Sequence, residues 1–138
     1  DEPFINPKQI DYLVSLFSSN EVSIATLAKK IENGDVISDI NSPKAIFDSN
    51  GIASNFCRKI TNPNKEKTYF KHIGIYGYLI EILTEICKLP PTDNEIKERL
   101  EQLRWLDNKY VIKVGITNHE GTSVDTPEDI EKIEAKMG

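Results

Sequence analysis

Two acids frame this 138-residue chain. One is Asp1, in Asp1-Glu2-Pro3; the other is Asp125, in Val124-Asp125-Thr126-Pro127-Glu128-Asp129. Carboxylates are hard oxygen ligands suited to Mg²⁺, which takes one or two of them and leaves its other positions to phosphate and water. Thr126 reads as an N-cap, Pro127 as a first helical residue and Asp129 as a capping-box acid. Asp125 therefore falls at the carboxyl end of a strand, where open α/β sheets place ligands. On spacing alone, the commoner use of such an acid is a further cap or a lysine pair.

A second group lies in Lys71-His72-Ile73-Gly74-Ile75-Tyr76-Gly77-Tyr78. A strand of period two puts His72, Gly74, Tyr76 and Tyr78 on one face. That face makes a pocket floor, or equally a satisfied core histidine with tyrosines at a subunit boundary. Gly74 and Gly77 allow close approach by a ligand or another backbone. No Ser or Cys stands in a motif that would make His72 a general base for a nucleophile. Arg58, at a strand end, can fork onto a carboxylate or phosphate, though an exposed arginine there needs no function. Glu101 and Gln102 share a helix with the core-facing Leu100, Leu103 and Leu106; Gln102 suits sugar hydroxyls or solvent.

The elements that must hold these residues follow from local signals. Asn6, Pro7 and Gln9 start a helix with Ile10, Leu13, Val14 and Phe17 on one face, closed by Ser18-Ser19-Asn20. Residues 22–31 read as a strand, 33–42 as a polar loop, and 44–48 with 52–58 as a hairpin about Asn50-Gly51. A surface loop, 61–68, precedes strand 70–78 and helix 79–88, which stops at Leu89-Pro90-Pro91. Thr92 and Glu95 form a capping box for a helix through Arg104 or Leu106. A strand at 110–117, a turn at 119–121 and a final helix to about Lys136 complete a mixed α/β sheet with flanking helices.

The net charge of −5 argues against nucleic acid and anionic membranes as partners. No apolar run reaches the roughly 20 residues of a membrane span. Cys57 and Cys87 form no metal-spaced motif and read as buried, reduced thiols of a cytoplasmic protein. The opening at Asp1, without Met, reads as a segment of a longer protein.

Four runs occur here in one order: Asp1-Glu2-Pro3, Lys71 to Tyr78, Leu100-Glu101-Gln102-Leu103-Arg104, and Val124 to Asp129. In this the chain resembles the 3-deoxy-manno-octulosonate cytidylyltransferases, the CMP-Kdo synthetases, across essentially its whole length. It departs from them at Asn55-Phe56-Cys57-Arg58, where the family has Tyr-Phe-Ser-Arg, and at Ile60-Thr61, where it has Ile-Pro. The resemblance implies the C-terminal, sugar-binding and dimer-forming half of a Rossmann-like nucleotide-sugar transferase, a single domain over 1–138, without the N-terminal CTP-binding half. It implies transfer of CMP from CTP to Kdo for lipopolysaccharide synthesis, by a homodimer with an interface sought in 22–31 and 44–58. Asp1 and Asp125 would be catalytic Mg²⁺ ligands, and Arg58, His72, Tyr76, Glu101 and Gln102 would line the Kdo pocket. Another acidic sugar, an 8-amino-Kdo or a sialic acid, is the alternative substrate; a non-catalytic oligomerisation module is the alternative of another class. The chain alone is expected to be inactive, and CMP-Kdo formed at a normal rate from CTP, Kdo and Mg²⁺ would contradict that.

Overall fold

Asn6 opens the first helix, α1 (Pro7–Ser15), its side chain accepting from the Lys8 amide at 3.0 Å. This is a computed structural model, and it describes residues 5–18, 21–32, 34–64, 66–119, 124, 130–131 and 133–135. Gln9 does not close the expected box. It is buried, and its amide donates instead to the His119 carbonyl at 3.4 Å, while Asn6 Nδ2 lies 3.2 Å from His119 Nδ1. The start of α1 is thereby clasped to the chain leaving the last strand. The buried stripe also differs from the expected one. A tighter 3₁₀ turn, Leu16–Ser18, brings Leu16 and Phe17 in beside Leu13, and leaves Ile10 and Val14 exposed.

Five strands follow: β1 (Ile24–Lys30), β2 (Lys44–Phe47), β3 (Ala53–Cys57), β4 (Phe70–Tyr78) and β5 (Ile112–Ile116). They are ordered β3-β2-β4-β1-β5, with β1 parallel to β5 and the other pairs antiparallel. The mixed sheet with flanking helices is as the sequence implies. A short helix, α2 (Gly34–Ser38), interrupts the expected polar loop. β1 lies between β4 and β5 with Ile24, Ala25, Leu27 and Ala28 wholly buried. Of the expected interface stretch 22–31, residues 24–28 are therefore covered at both edges and on both faces, and only its far end, at Lys30, is exposed.

The Asn50-Gly51 turn closes β2 onto β3, with Asp48 Oδ1 accepting from the Asn50 and Ile52 amides. Gly51 has φ +74°, which side chains rarely adopt. The tip of the hairpin then reaches β5: the Val114 amide donates to the Gly51 carbonyl at 2.7 Å, and Ile52 bridges Lys113. The two ends of the strand order meet, so the sheet curls about one face. That inner face carries Ile24, Ala28, Ala45, Ala53, Phe56, Ile112 and Val114.

Three helices follow, α3 (Ile80–Ile86), α4 (Asp93–Glu98) and α5 (Gln102–Asp107), and the concavity is filled by Ile86 of α3, Leu100 of the α4–α5 link, and Leu103 and Trp105 of α5. Burying each large side chain there contributes roughly 2 kcal/mol. The cysteines are not the buried thiols expected: Cys57 is half-buried at the end of β3, and Cys87, just after α3, is exposed. The outer face packs Ala25, Leu27 and Ile73 under α1. Close approach at a glycine is real, but on that outer face: a Cβ on Gly77 would stand 2.8 Å from the Phe17 ring, whereas Gly74 meets nothing within 4 Å.

The expected single helix from Thr92 is two. Thr92 and Glu95 make the capping box, but Arg99 is left-handed at φ 55° and ends α4, and the chain restarts as α5. Residues 130–131 and 133–135 are helical, in line with the expected final helix. The expected turn at 119–121 is described only at His119, and residues 125–129 lie outside the described residues.

Closure of the sheet at Gly51 has a measurable consequence. Alanine there adds left-handed strain of about 1–2 kcal/mol and sets a Cβ 2.8 Å from the Val114 carbonyl oxygen. Gly51→Ala should lower the urea unfolding free energy by about 2–3 kcal/mol, with Gly74→Ala near neutral. Equal stabilities of the two variants would contradict the closure.

Candidate functional site

The inner face of β4 carries His72, Tyr76 and Tyr78, and their surroundings decide what they can do. The register against β1 slips between Thr26 and Leu27: Thr26 pairs with Tyr76, yet Leu27 pairs with Ile73. Gly74 and Ile75 are the extra residues of this bulge. The Thr26 hydroxyl closes it, lying 2.7 Å from the Ile75 carbonyl, 3.3 Å from that of Ile73 and 2.9 Å from His72 Nε2. His72 is buried, edge-on to Phe56 with ring centroids 5.0 Å apart. Loss of hydration pushes its pKa down to about 4, so the ring is neutral at pH 7.

From His72 a wall of rings runs to α5. Tyr76 lies 5.4 Å from His72, and Trp105 stands edge-on to Tyr76 at 5.1 Å and to Tyr78 at 5.5 Å. Burial raises the pKa of both phenols, helped by each site's neighbouring negative groups, among them Glu101. Both are neutral hydroxyls, able to donate hydrogen bonds. α5 sets its own residues against this wall. Gln102 is buried, and among the described residues its Nε2 has no hydrogen-bond partner. An unmade bond of that kind costs about 1–3 kcal/mol. Glu101 is exposed beside it, 3.6 Å from Arg104 Nη2. Arg104 in turn forks onto Glu95 and ties α5 to α4.

Arg58 directly follows β3 and reaches the break between these helices. Its Nε, Nη1 and Nη2 donate to the carbonyls of Glu98, Ile40 and Arg99 at 2.8, 3.0 and 3.1 Å. The Glu98 and Arg99 carbonyls are free acceptors at the end of α4, and a cation there also complements the helix dipole. Arg58 thus fixes the position of α5, with two of its five N–H groups uncommitted to these bonds. Behind it Lys44, fully buried, donates to the carbonyls of Arg58, at 2.9 Å, and Asp39. Burial lowers its pKa, against the opposing charge of Asp39.

Of the residues singled out from sequence, Arg58, His72, Tyr76, Glu101 and Gln102 are linked through β3, β4 and α5. Asp1 and Asp125 lie outside the described residues. Among the described residues no three His, Cys, Asp or Glu side chains gather as a metal cluster. The sequence reading missed Thr26, Lys44 and Trp105. Thr26 is the hydroxyl within the apolar run Ile24 to Ala28 and Trp105 the chain's single tryptophan, which were the available signals. A separate cleft of about 370 Å³ lies under residues 60–70, lined by Ala45, Phe47, Tyr69 and Phe70 among others. None of the five residues lines it.

The buried imidazole makes folding proton-linked. The unfolded chain binds a proton at His72 below about pH 6.5, and the folded chain only near pH 4. Stability should therefore fall as the pH drops through that window, by roughly 3 kcal/mol at pH 4. His72→Gln should flatten this part of the pH–stability curve measured by urea denaturation. An unchanged slope in the variant would show that His72 is solvated.

Comparison with known proteins agrees with this architecture. The family model described as Cytidylyltransferase matches residues 1–116. The 3-deoxy-manno-octulosonate cytidylyltransferase of Parabacteroides distasonis is 43% identical, over 96% of this chain and 58% of that protein. Proteins of the same name from Bacteroides thetaiotaomicron, at 42% over 97% and 58%, and Thermodesulfovibrio yellowstonii, at 43% over 97% and 56%, are similarly related. The solved structure of a CMP:2-keto-3-deoxy-manno-octonic acid synthetase complexed with CTP superposes with a TM-score of 0.90 at 30% identity, covering 99% of this chain and 58% of that one. The chain spans a little over half the length of these relatives. With 116 of its residues matched by the family model, and a curled mixed sheet that superposes along its length, the chain belongs to the cytidylyltransferase family.

Proposed function

We propose that this chain supplies the sugar-acid pocket of an enzyme that transfers CMP from CTP to Kdo, releasing pyrophosphate. The observation that carries it is the buried amide nitrogen of Gln102, without a partner among the described residues, on the helix whose Trp105 meets the wall of neutral aromatic groups. Such an amide is a waiting donor, and a sugar hydroxyl or ring oxygen is a fitting acceptor. The names of the relatives, 3-deoxy-manno-octulosonate cytidylyltransferases, supply the sugar and the nucleotide.

In this reaction the anomeric hydroxyl oxygen of Kdo bonds to the α-phosphorus of CTP. The bond from that phosphorus to the pyrophosphate oxygen breaks, and the hydroxyl proton is lost to solvent. The residues of this chain act by holding the sugar acid in line for that displacement. Arg58 presents its two uncommitted N–H groups and its charge to the Kdo carboxylate. Glu101 accepts from sugar hydroxyls, Gln102 donates, and Tyr76 and His72 form the wall. Asp1 and Asp125 are the proposed Mg²⁺ ligands, and two hard carboxylates fit that ion. When bound, Mg²⁺ neutralises the triphosphate.

A cytoplasmic homodimer is part of the proposal; its interface is confined to the outward side of the β2–β3 hairpin, where Ile46, Ser54 and Asn55 are exposed. Among the described residues no helix is long and apolar enough to cross a membrane.

Pyrophosphate release by the full-length protein, given CTP and Mg²⁺, should depend on Kdo and be at least tenfold slower with sialic acid or 8-amino-Kdo. Release independent of Kdo, or none, would overturn the reading. Gln102→Met should raise the KM for Kdo tenfold or more. The same change should stabilise the fold by about 1 kcal/mol, because it removes the orphaned donor. Lower stability with an unchanged KM would instead mark Gln102 as a core residue.

A further inference from the structure

The three contacts of the Thr26 hydroxyl determine the state of His72. Two oxygens 2.7 Å apart, Thr26 Oγ1 and the Ile75 carbonyl, require a hydrogen between them. The carbonyl has none, so the hydroxyl's single proton lies there. His72 Nε2, at 2.9 Å from the same hydroxyl oxygen, must then carry the hydrogen of that bond. Otherwise two lone pairs would face one another in a buried site.

The neutral ring has one further hydrogen-bonding atom. With Nε2 protonated, Nδ1 keeps its lone pair and is an acceptor. The bulge makes this arrangement possible. The two inserted residues bring the Ile73 and Ile75 carbonyls onto the hydroxyl, which occupies the donor that would otherwise serve His72.

We infer that Thr26 is a positioning residue, which holds His72 as the Nε2–H form so that Nδ1 accepts a hydrogen bond from a hydroxyl of the bound sugar acid. The inference rests on the proposed sugar pocket for its ligand, but the proton on Nε2 stands on the hydrogen-bond geometry, and the bare Nδ1 on the burial that keeps the ring neutral. It also gives the pocket a complementary pair: Gln102 Nε2 donates and His72 Nδ1 accepts. A polyhydroxylated acid supplies both partners, whereas a substrate without hydroxyl donors leaves Nδ1 unmatched.

The test uses the full-length protein with ¹⁵N-labelled histidine, the His72 signals being identified by their loss in His72→Gln. The spectrum should show Nε2 protonated and Nδ1 bare at pH 7. In Thr26→Val the pattern should shift toward the other tautomer or a mixture, and the KM for Kdo should rise about tenfold with kcat within twofold. Thr26→Ser should restore both. A parent spectrum with Nδ1 protonated overturns the inference without any substitution, whether or not the valine variant folds. A valine variant with the parent's spectrum also overturns it, and so does a shifted tautomer with an unmoved KM. Absence of Kdo turnover in the parent refutes the pocket itself, an outcome distinct from all of these.

Discussion

Polar atoms buried on and around the curled sheet have given up water and must find partners in the protein. That constraint organises the structure. Thr26 satisfies itself against two carbonyls of the β4 bulge and orients His72. Lys44 meets the Asp39 and Arg58 carbonyls, and Arg58 meets three more. Gln102 Nε2 is left over. Among the described residues it is the one buried side-chain donor without a partner, and it needs an explanation from outside the chain. A ligand provides one.

The scaffold makes this matching possible by fixing distances between segments far apart in sequence. The hairpin tip at Gly51 locks onto β5, and α1 is clasped at His119 while the Phe17 ring of the 3₁₀ turn that follows it sits over Gly77. Arg58 fixes the break between α4 and α5, which decides where Gln102 and Trp105 fall. The asymmetry between the faces follows. The outer face is closed by apolar contacts with α1, whereas the inner face mixes apolar packing with oriented polar groups. Stability thus rests chiefly on Phe56, Ile24, Leu27 and Ile112, and selectivity on a few hydrogen bonds laid over them.

Signals confined to a few adjacent residues were legible in the sequence: the Asn6 and Thr92 caps, the Asn50-Gly51 turn, the mixed sheet and the shared face of His72, Tyr76 and Tyr78. What was not legible depends on contacts between distant residues. Arg99 carries no glycine to announce a left-handed stop; the carbonyls it frees are met by Arg58, 41 residues away. The β4 bulge preserves the period-two pattern because it inserts two residues, so the slip leaves no trace in the alternation. The shift of the buried stripe on α1 reflects a 3₁₀ turn chosen by the sheet beneath it. Asp1 and Asp125, the first chemical expectation, lie outside the described residues. Arg58, His72, Tyr76, Glu101 and Gln102 were all named from sequence, although the part that Arg58 plays in holding α5 was not.

The central claim is that the orphaned donor on α5 faces the sugar. A structure of the full-length protein with Kdo bound should place Gln102 Nε2 within about 3.2 Å of a sugar oxygen, with the sugar against Tyr76 and His72. Kdo bound in the cleft under residues 60–70, with the Gln102 amide still unpartnered, would contradict the account.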